Sequence, residues 1–212
     1  LGGVPVAAET IALHTIFALM RSTKARVHLC RISSAEGVEL VRAAKKEGLA
    51  VTADVSINSL HLSDHDIGYF DSRARVTPVL RQQRDRDALR AALADGTIDV
   101  LVSDHTPVDV DAKALPFAEA EAGATGLELL LSLSLKWAND SKVGLVRALE
   151  VLTSQPAKVL GKIEGQSESL GQLHVGGVAD LVVFDPAVEW HVTPDALHSQ
   201  GKHTPFAFDM TG

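Results

Sequence analysis

The chain has little cysteine and few aromatic side chains: one Cys among 212 residues, and 4% Phe, Trp and Tyr together. A lone Cys30 cannot close an internal disulfide, which fits a reducing compartment. Its place inside an apolar run reads as a small core side chain, not a nucleophile. Scarce aromatics leave Ala, Val, Leu and Ile to build the core. Basic charge is also short, with 20 Lys and Arg against 27 Asp and Glu and a net charge of −7. That balance argues against a nucleic-acid groove or an anionic membrane surface as the main partner. No apolar run approaches the roughly 20 residues needed to span a bilayer. The opening "LGGVPVAAET" has no basic segment leading into an apolar one, so it does not read as a signal peptide, and the cytoplasm is the expected location. No Gly-rich phosphate loop follows any apparent strand, which weakens a nucleotide-binding reading.

What is present is ordinary globular composition, 46% apolar and 22% charged, in a chain long enough to bury a substantial core. Two segments share a design. "SSAEGVELVRAAKKEG" leads into "LAVTADVSI", and "QRDRDALRAALADG" leads into "TIDVLVSDH". Each is an amphipathic helix closed by Gly48 or Gly96 and followed by a strand after almost no loop. Ser33 stands three residues before Glu36, a capping-box spacing. Upstream, "ARVHLCRIS" reads as another strand, fed by the helix "ETIALHTIFALMRST". Strands alternating with helices and carrying near-continuous apolar runs imply a parallel sheet covered on both faces. An open doubly wound sheet and a closed (β/α)8 barrel both satisfy this. In either, chemistry collects at the C-terminal strand ends, here "CRISS", "DVSINSLHLSD" and "SDHTPV". Beyond a loop over "DVDAKALPFAEAEAGATG" come helices near 126–139 and 143–153 and a short helix at "PAKVLG". From Leu170 the stretch "LGQLHVGGVADLVVFDP" reads as short strands and turns.

At these strand ends the sequence resembles the dihydroorotases of the amidohydrolase superfamily. The likeness runs in order through "VHLCRISSAEGVELVRAAKKEGLAVTADV", "VTPVLRQQRDRDALRAALADGTIDVLVSDHTP", "FAEAEAGATGLELLL", "TSQPAKVLG", "VGGVADLVVFDP" and "SQGKHTPF". The resemblance implies an α/β fold: the C-terminal half of a (β/α)8 TIM-type barrel over 1–165, and part of a small β-sandwich over 166–212. It also implies that a further half precedes this one, carrying two metal-binding histidines and a bridging carbamylated lysine.

Opening a cyclic amide such as dihydroorotate needs hydroxide near neutral pH, which a zinc pair generates by lowering the pKa of bound water to about 7. A strand-end carboxylate then moves the proton. The resemblance places one metal-binding His at the position of Arg31, in "HLCRISS", and another at Asn58, in "SINSL". A fixed cation and a neutral amide stand where imidazoles belong, so no metal is expected at these positions. His28 lies on a different strand face from Arg31 and reads as a structural histidine. His61 and His65 are spaced four apart with Asp64 and Asp66 beside His65. On a helix that spacing can hold a metal, but "LHLSDHD" reads as a loop leading to a surface helix.

The family segment "D-H-A-P-H" supplies an aspartate that is metal ligand and general acid/base, and a final His that contacts substrate. Here it is "DHTPV", which keeps Asp104 and His105 and ends in Val108. Without its ligand partners Asp104 reads as an ion-pair or loop-capping residue, with Arg31 the natural donor; a working acid/base is the alternative. The family's "N-P-P-L-R" appears as "TPVLR", with Thr77 and Val79 substituted. Gly123 and Gly126 keep a substrate-loop framework around Glu121 and Ala122, so His105 and Gly123 are the substrate-side candidates.

These substitutions resemble those of degenerate, non-catalytic family members that assemble with the catalytic chain of aspartate transcarbamoylase. The expectation is therefore a dihydroorotase-like protein of de novo pyrimidine biosynthesis, homo-oligomeric, supporting that assembly. The alternative is an active zinc-dependent dihydroorotase or related cyclic amidohydrolase, for which an intact His-x-His pair and lysine in the preceding half would speak.

Overall fold

The computed structural model describes residues 3–161, 170–177 and 179–212. Three strands, β1 (Val27–Leu29), β2 (Val51–Ser56) and β3 (Val100–Val102), form one parallel sheet in the order β1-β2-β3. Val27 pairs with Val51, and Asp54 with Val100. The helices α1 (Val6–Thr23), α2 (Ala35–Glu47) and α4 (Gln83–Asp95) lie between or before the strands, with a short α3 (Ile57–His61) directly after β2. Leu29, Ala53 and Val55 share one sheet face with the helices, and Val38, Val41, Leu89 and Leu93 complete that core. The opposite face carries His28, Thr52, Asp54 and Ser56. That face also carries Val100 and Val102 of β3, so it is polar along β1 and β2 only, and the expected doubly apolar strands hold only in part.

Local chemistry fixes the element ends. Gly48 and Gly96 sit at φ +89° and +83°, a left-handed conformation that stops α2 and α4 where the sequence indicated. The N-terminus of α2 differs from expectation by one residue: Ser34 is the cap, its Oγ accepting from the Gly37 N–H at 3.0 Å. Ser33 is unavailable because its amide and hydroxyl donate to Glu9 Oε2 of α1, and Arg81 Nε donates to its Oγ. Asp85 of α4 accepts from the Ala35 N–H at 2.9 Å, tying two helices through one orphan amide. Asp99 accepts from Lys45 Nζ and the Ala53 N–H, which fixes β2 against the turn before β3.

After β3 come α5 (Val110–Lys113), α6 (Leu130–Asp140), α7 (Leu145–Glu150) and α8 (Ser154–Leu160). The first of the two helices expected after the loop begins four residues late, because Leu127–Leu129 forms a 3-10 turn ahead of it. An antiparallel pair, β4 (Glu189–His191) and β5 (Asp209–Thr211), packs on α6. Trp190 Nε1 donates to Ser132 Oγ at 3.2 Å, and Ser132 Oγ donates to the Gly212 carbonyl at 3.3 Å. The strands expected over 170–186 do not form among the described residues. Leu173, Val175, Leu181, Val182 and Val183 are exposed there, and a strand without a neighbour to pair with gains no ladder. The expected boundary at 165/166 lies outside the described residues. Among those residues no helix is long and apolar enough to cross a membrane.

Candidate functional site

Arg31 and Asp104 lie just past the ends of β1 and β3, and both adopt left-handed backbone conformations, φ +59° and +48°. Such a conformation costs on the order of 1 kcal/mol or more for a residue with a Cβ, and it persists only where the surroundings impose it. Here Asp54 Oδ1 accepts from the Arg31 backbone N–H at 2.7 Å and holds that turn. The turn aims the guanidinium across the strand ends. Arg31 Nη1 donates to Asp104 Oδ1 at 3.0 Å and to the Thr77 carbonyl at 3.1 Å, next to the cis Thr77–Pro78 peptide. The Asp104 side chain is only 7% exposed while that of Arg31 is 42% exposed. The carboxylate is therefore buried beneath a cation that reaches solvent.

Asn58 opens α3 and is buried, and its Oδ1 has no hydrogen-bond partner among the described residues; neither does Ser59 Oγ. Val108 is also buried, in contact range of a side chain placed at Gly123. His105 Nδ1 accepts from the Gly126 and Leu127 N–H groups at 3.2 and 3.3 Å, so a neutral ring carries its proton on Nε2. The histidine thereby anchors the 3-10 turn before α6. Gly123, at φ +152°, packs so closely that an added Cβ would lie 2.5 Å from the Thr106 carbonyl oxygen. His61 and His65 are not a pair. His61 closes α3, donating from Nε2 to the Leu133 carbonyl at 2.9 Å, while His65 lies exposed in a separate 3-10 turn. The loop expected at His61 is helix because Ser56 caps it, its Oγ accepting from the Asn58 N–H.

A second cluster escaped the sequence reading. His28 Nε2 donates to Asp54 Oδ2 at 2.9 Å, and Nδ1 lies 2.8 Å from Thr52 Oγ1. Cys30 completes it, with one donor atom from each of His28, Cys30 and Asp54 lying within 4.8 Å of one another. Cys30 is exposed, which corrects its reading as a core residue. It follows the last residue of β1. Local burial, and then the neighbouring Asp54 charge, raise its thiol pKa. Asp54 was the missed residue; the available signal was a lone carboxylate inside the strand "VTADVS".

Comparison with known proteins gives the family. The model of the Amidohydrolase family matches residues 7–211. The chain belongs to the amidohydrolase family. A dihydroorotase-like protein of Pseudomonas putida is 40% identical over 206 residues, which are 97% of this chain and 47% of that protein. A dihydroorotase of Geobacter sp. (strain M21) is 38% identical over the same length, again 97% and 47% of the two chains. The L-hydantoinase (dihydropyrimidinase) from Arthrobacter aurescens superposes with a TM-score of 0.88 at 29% identity, covering 98% of this chain and 46% of that one. Sequence and fold thus place the chain with the dihydroorotases in a TIM-barrel architecture, and it spans about half the length of the curated relatives it matches. Amidohydrolases are usually metal-dependent, and Arg31 is not a residue that can hold a metal. A guanidinium offers five N–H donors and no lone pair, and it already occupies one Asp104 oxygen.

Proposed function

We propose that this amidohydrolase chain is part of a dihydroorotase-like protein of de novo pyrimidine biosynthesis that has lost hydrolysis and supports the assembly of aspartate transcarbamoylase. The observation that carries the proposal is the 3.0 Å contact between Arg31 Nη1 and Asp104 Oδ1. A strand-end aspartate can serve a metal-bound hydroxide only if its oxygens are free to take a proton. Here one oxygen is already taken by the Arg31 guanidinium, which spans from it to the Thr77 carbonyl. A barrel in this state still contributes to its pathway as a homo-oligomeric scaffold that holds the transcarbamoylase catalytic chains. Such an interface needs at least about 1,000 Å² of buried surface. The location follows as cytoplasmic, with the pathway.

The test is co-purification combined with a hydrolysis assay on the full-length protein. We expect comigration with aspartate transcarbamoylase, no enzyme-like hydrolysis of dihydroorotate, and an assembly unchanged by Asp104→Ala. The likeness to the Geobacter dihydroorotase favours the active alternative. Hydrolysis at an enzyme-like rate that Asp104→Ala abolishes would establish that alternative and sink the scaffold reading.

A further inference from the structure

We propose that His28, Cys30 and Asp54 bind one soft divalent cation, with Zn(II) the natural occupant, at a site separate from the Arg31–Asp104 pair. One donor atom from each residue already lies within 4.8 Å of the others. Tetrahedral zinc with N and O donors at about 2.0–2.2 Å and sulfur at about 2.3 Å needs donors roughly 3.4–3.6 Å apart. The 2.9 Å between His28 Nε2 and Asp54 Oδ2 must open by about half an ångström, and the widest donor pair, within 4.8 Å, must close by up to about 1.3 Å.

The charge balances as well. A Cys30 thiolate and the Asp54 carboxylate together neutralise a divalent ion, and neutral His28 adds a third donor. Binding releases the thiol proton, while the imidazole only changes tautomer, moving its proton from Nε2 to Nδ1. The groups behind the donors suit that state. Thr52 Oγ1, 2.8 Å from Nδ1, can accept the relocated proton's hydrogen bond, and the Arg31 N–H holds Asp54 Oδ1 at 2.7 Å. Contacts of this kind orient metal ligands, and an acceptor on the ring N–H also raises the basicity of the imidazole. A water completes the fourth position, as in zinc sites with three protein ligands. A thiolate among the donors selects Zn(II), Cd(II) or Co(II) over Mg(II) and Ca(II). The neighbouring cation does not compete, because the Arg31 guanidinium is turned towards Asp104 and Thr77.

This inference does not depend on whether the protein hydrolyses dihydroorotate. The probe is Co(II), titrated into full-length protein stripped with a chelator, read by the thiolate-to-cobalt charge-transfer band in the near ultraviolet. One equivalent should produce the band together with intense visible transitions of a tetrahedral ion. Cys30→Ser, an exposed and nearly isosteric change, should abolish the band. Thr52→Val should weaken Co(II) affinity by about 10-fold or more, the usual cost of losing a supporting contact. His28→Gln should weaken it further, with circular dichroism confirming the fold of each variant. The proposal is overturned by the absence of a sulfur band, by a band that survives Cys30→Ser, or by an affinity that His28→Gln leaves unchanged. The last result would mean that the thiol binds cobalt without the cluster.

Discussion

Acidification should destabilise this protein through His61. The ring packs edge-on against Phe206, centroids 6.1 Å apart, and its Nε2–H donates to the Leu133 carbonyl at 2.9 Å. Burial, and then the positive charge of Arg90, push its pKa from 6.5 down to about 3, with Lys136 adding to the effect and the Leu133 carbonyl and Asp140 opposing it. The native state therefore excludes a proton that the unfolded chain accepts near pH 6.5. The sign follows: the His61 contribution is complete above that pH and is lost as pH falls towards 3. Between those two values, excluding one proton costs about 1.4 kcal/mol for each pH unit, so moving from pH 7 to pH 5 should remove about 2 kcal/mol. That figure changes little for any native value below about 4, so the comparison tests burial of the ring without depending on how far its pKa falls. His61→Gln keeps an N–H for Leu133 but does not titrate. Urea unfolding, followed by the fluorescence of Trp137 and Trp190 beside the same helix α6, should be compared at pH 7 and pH 5. The parent should lose about 2 kcal/mol more than the variant between the two pH values. Equal losses would show that His61 is not held neutral and that the packing argument is wrong.

Gly123→Ala should lower stability by about 1–3 kcal/mol in the same unfolding assay, since the new methyl would meet the Thr106 backbone at 2.5 Å and the conformation disfavours a Cβ. Lys113 donates to the Ser72 and Arg75 carbonyls while burial, and then Arg75, lower its pKa to about 8. Its native pKa is below the unfolded value of 10.5, so stability should rise by about 1 kcal/mol from pH 7 to pH 9, a gain that Lys113→Met abolishes. Arg31→His with Asn58→His should raise zinc content, measured by elemental analysis of the full-length protein, above that of the parent. Unchanged content would count against the assignment of these two positions. Val108 is left out of that variant because its site is packed, and a histidine there would crowd the Gly123 loop.

The sequence by itself determined the order of helices and strands, the stops at Gly48 and Gly96, and the family. These rest on local preferences and on contiguous motifs, which one chain displays directly. The resemblance to the dihydroorotase motifs also singled out the Arg31 and Asp104 positions, and the charge of Arg31 marked it as a donor suited to that carboxylate. Tertiary structure decided what each group does there. The left-handed turn that aims Arg31 depends on Asp54, 23 residues away in the chain. Ser33 lost its capping role to Ser34 because Glu9 of another helix claimed its hydroxyl. His61 became a half-buried neutral donor, and Cys30 an exposed thiol beside His28 and Asp54, for the same reason. Burial and hydrogen-bond partners are set by which elements meet in space, and sequence periodicity carries no record of a contact between residues that distant.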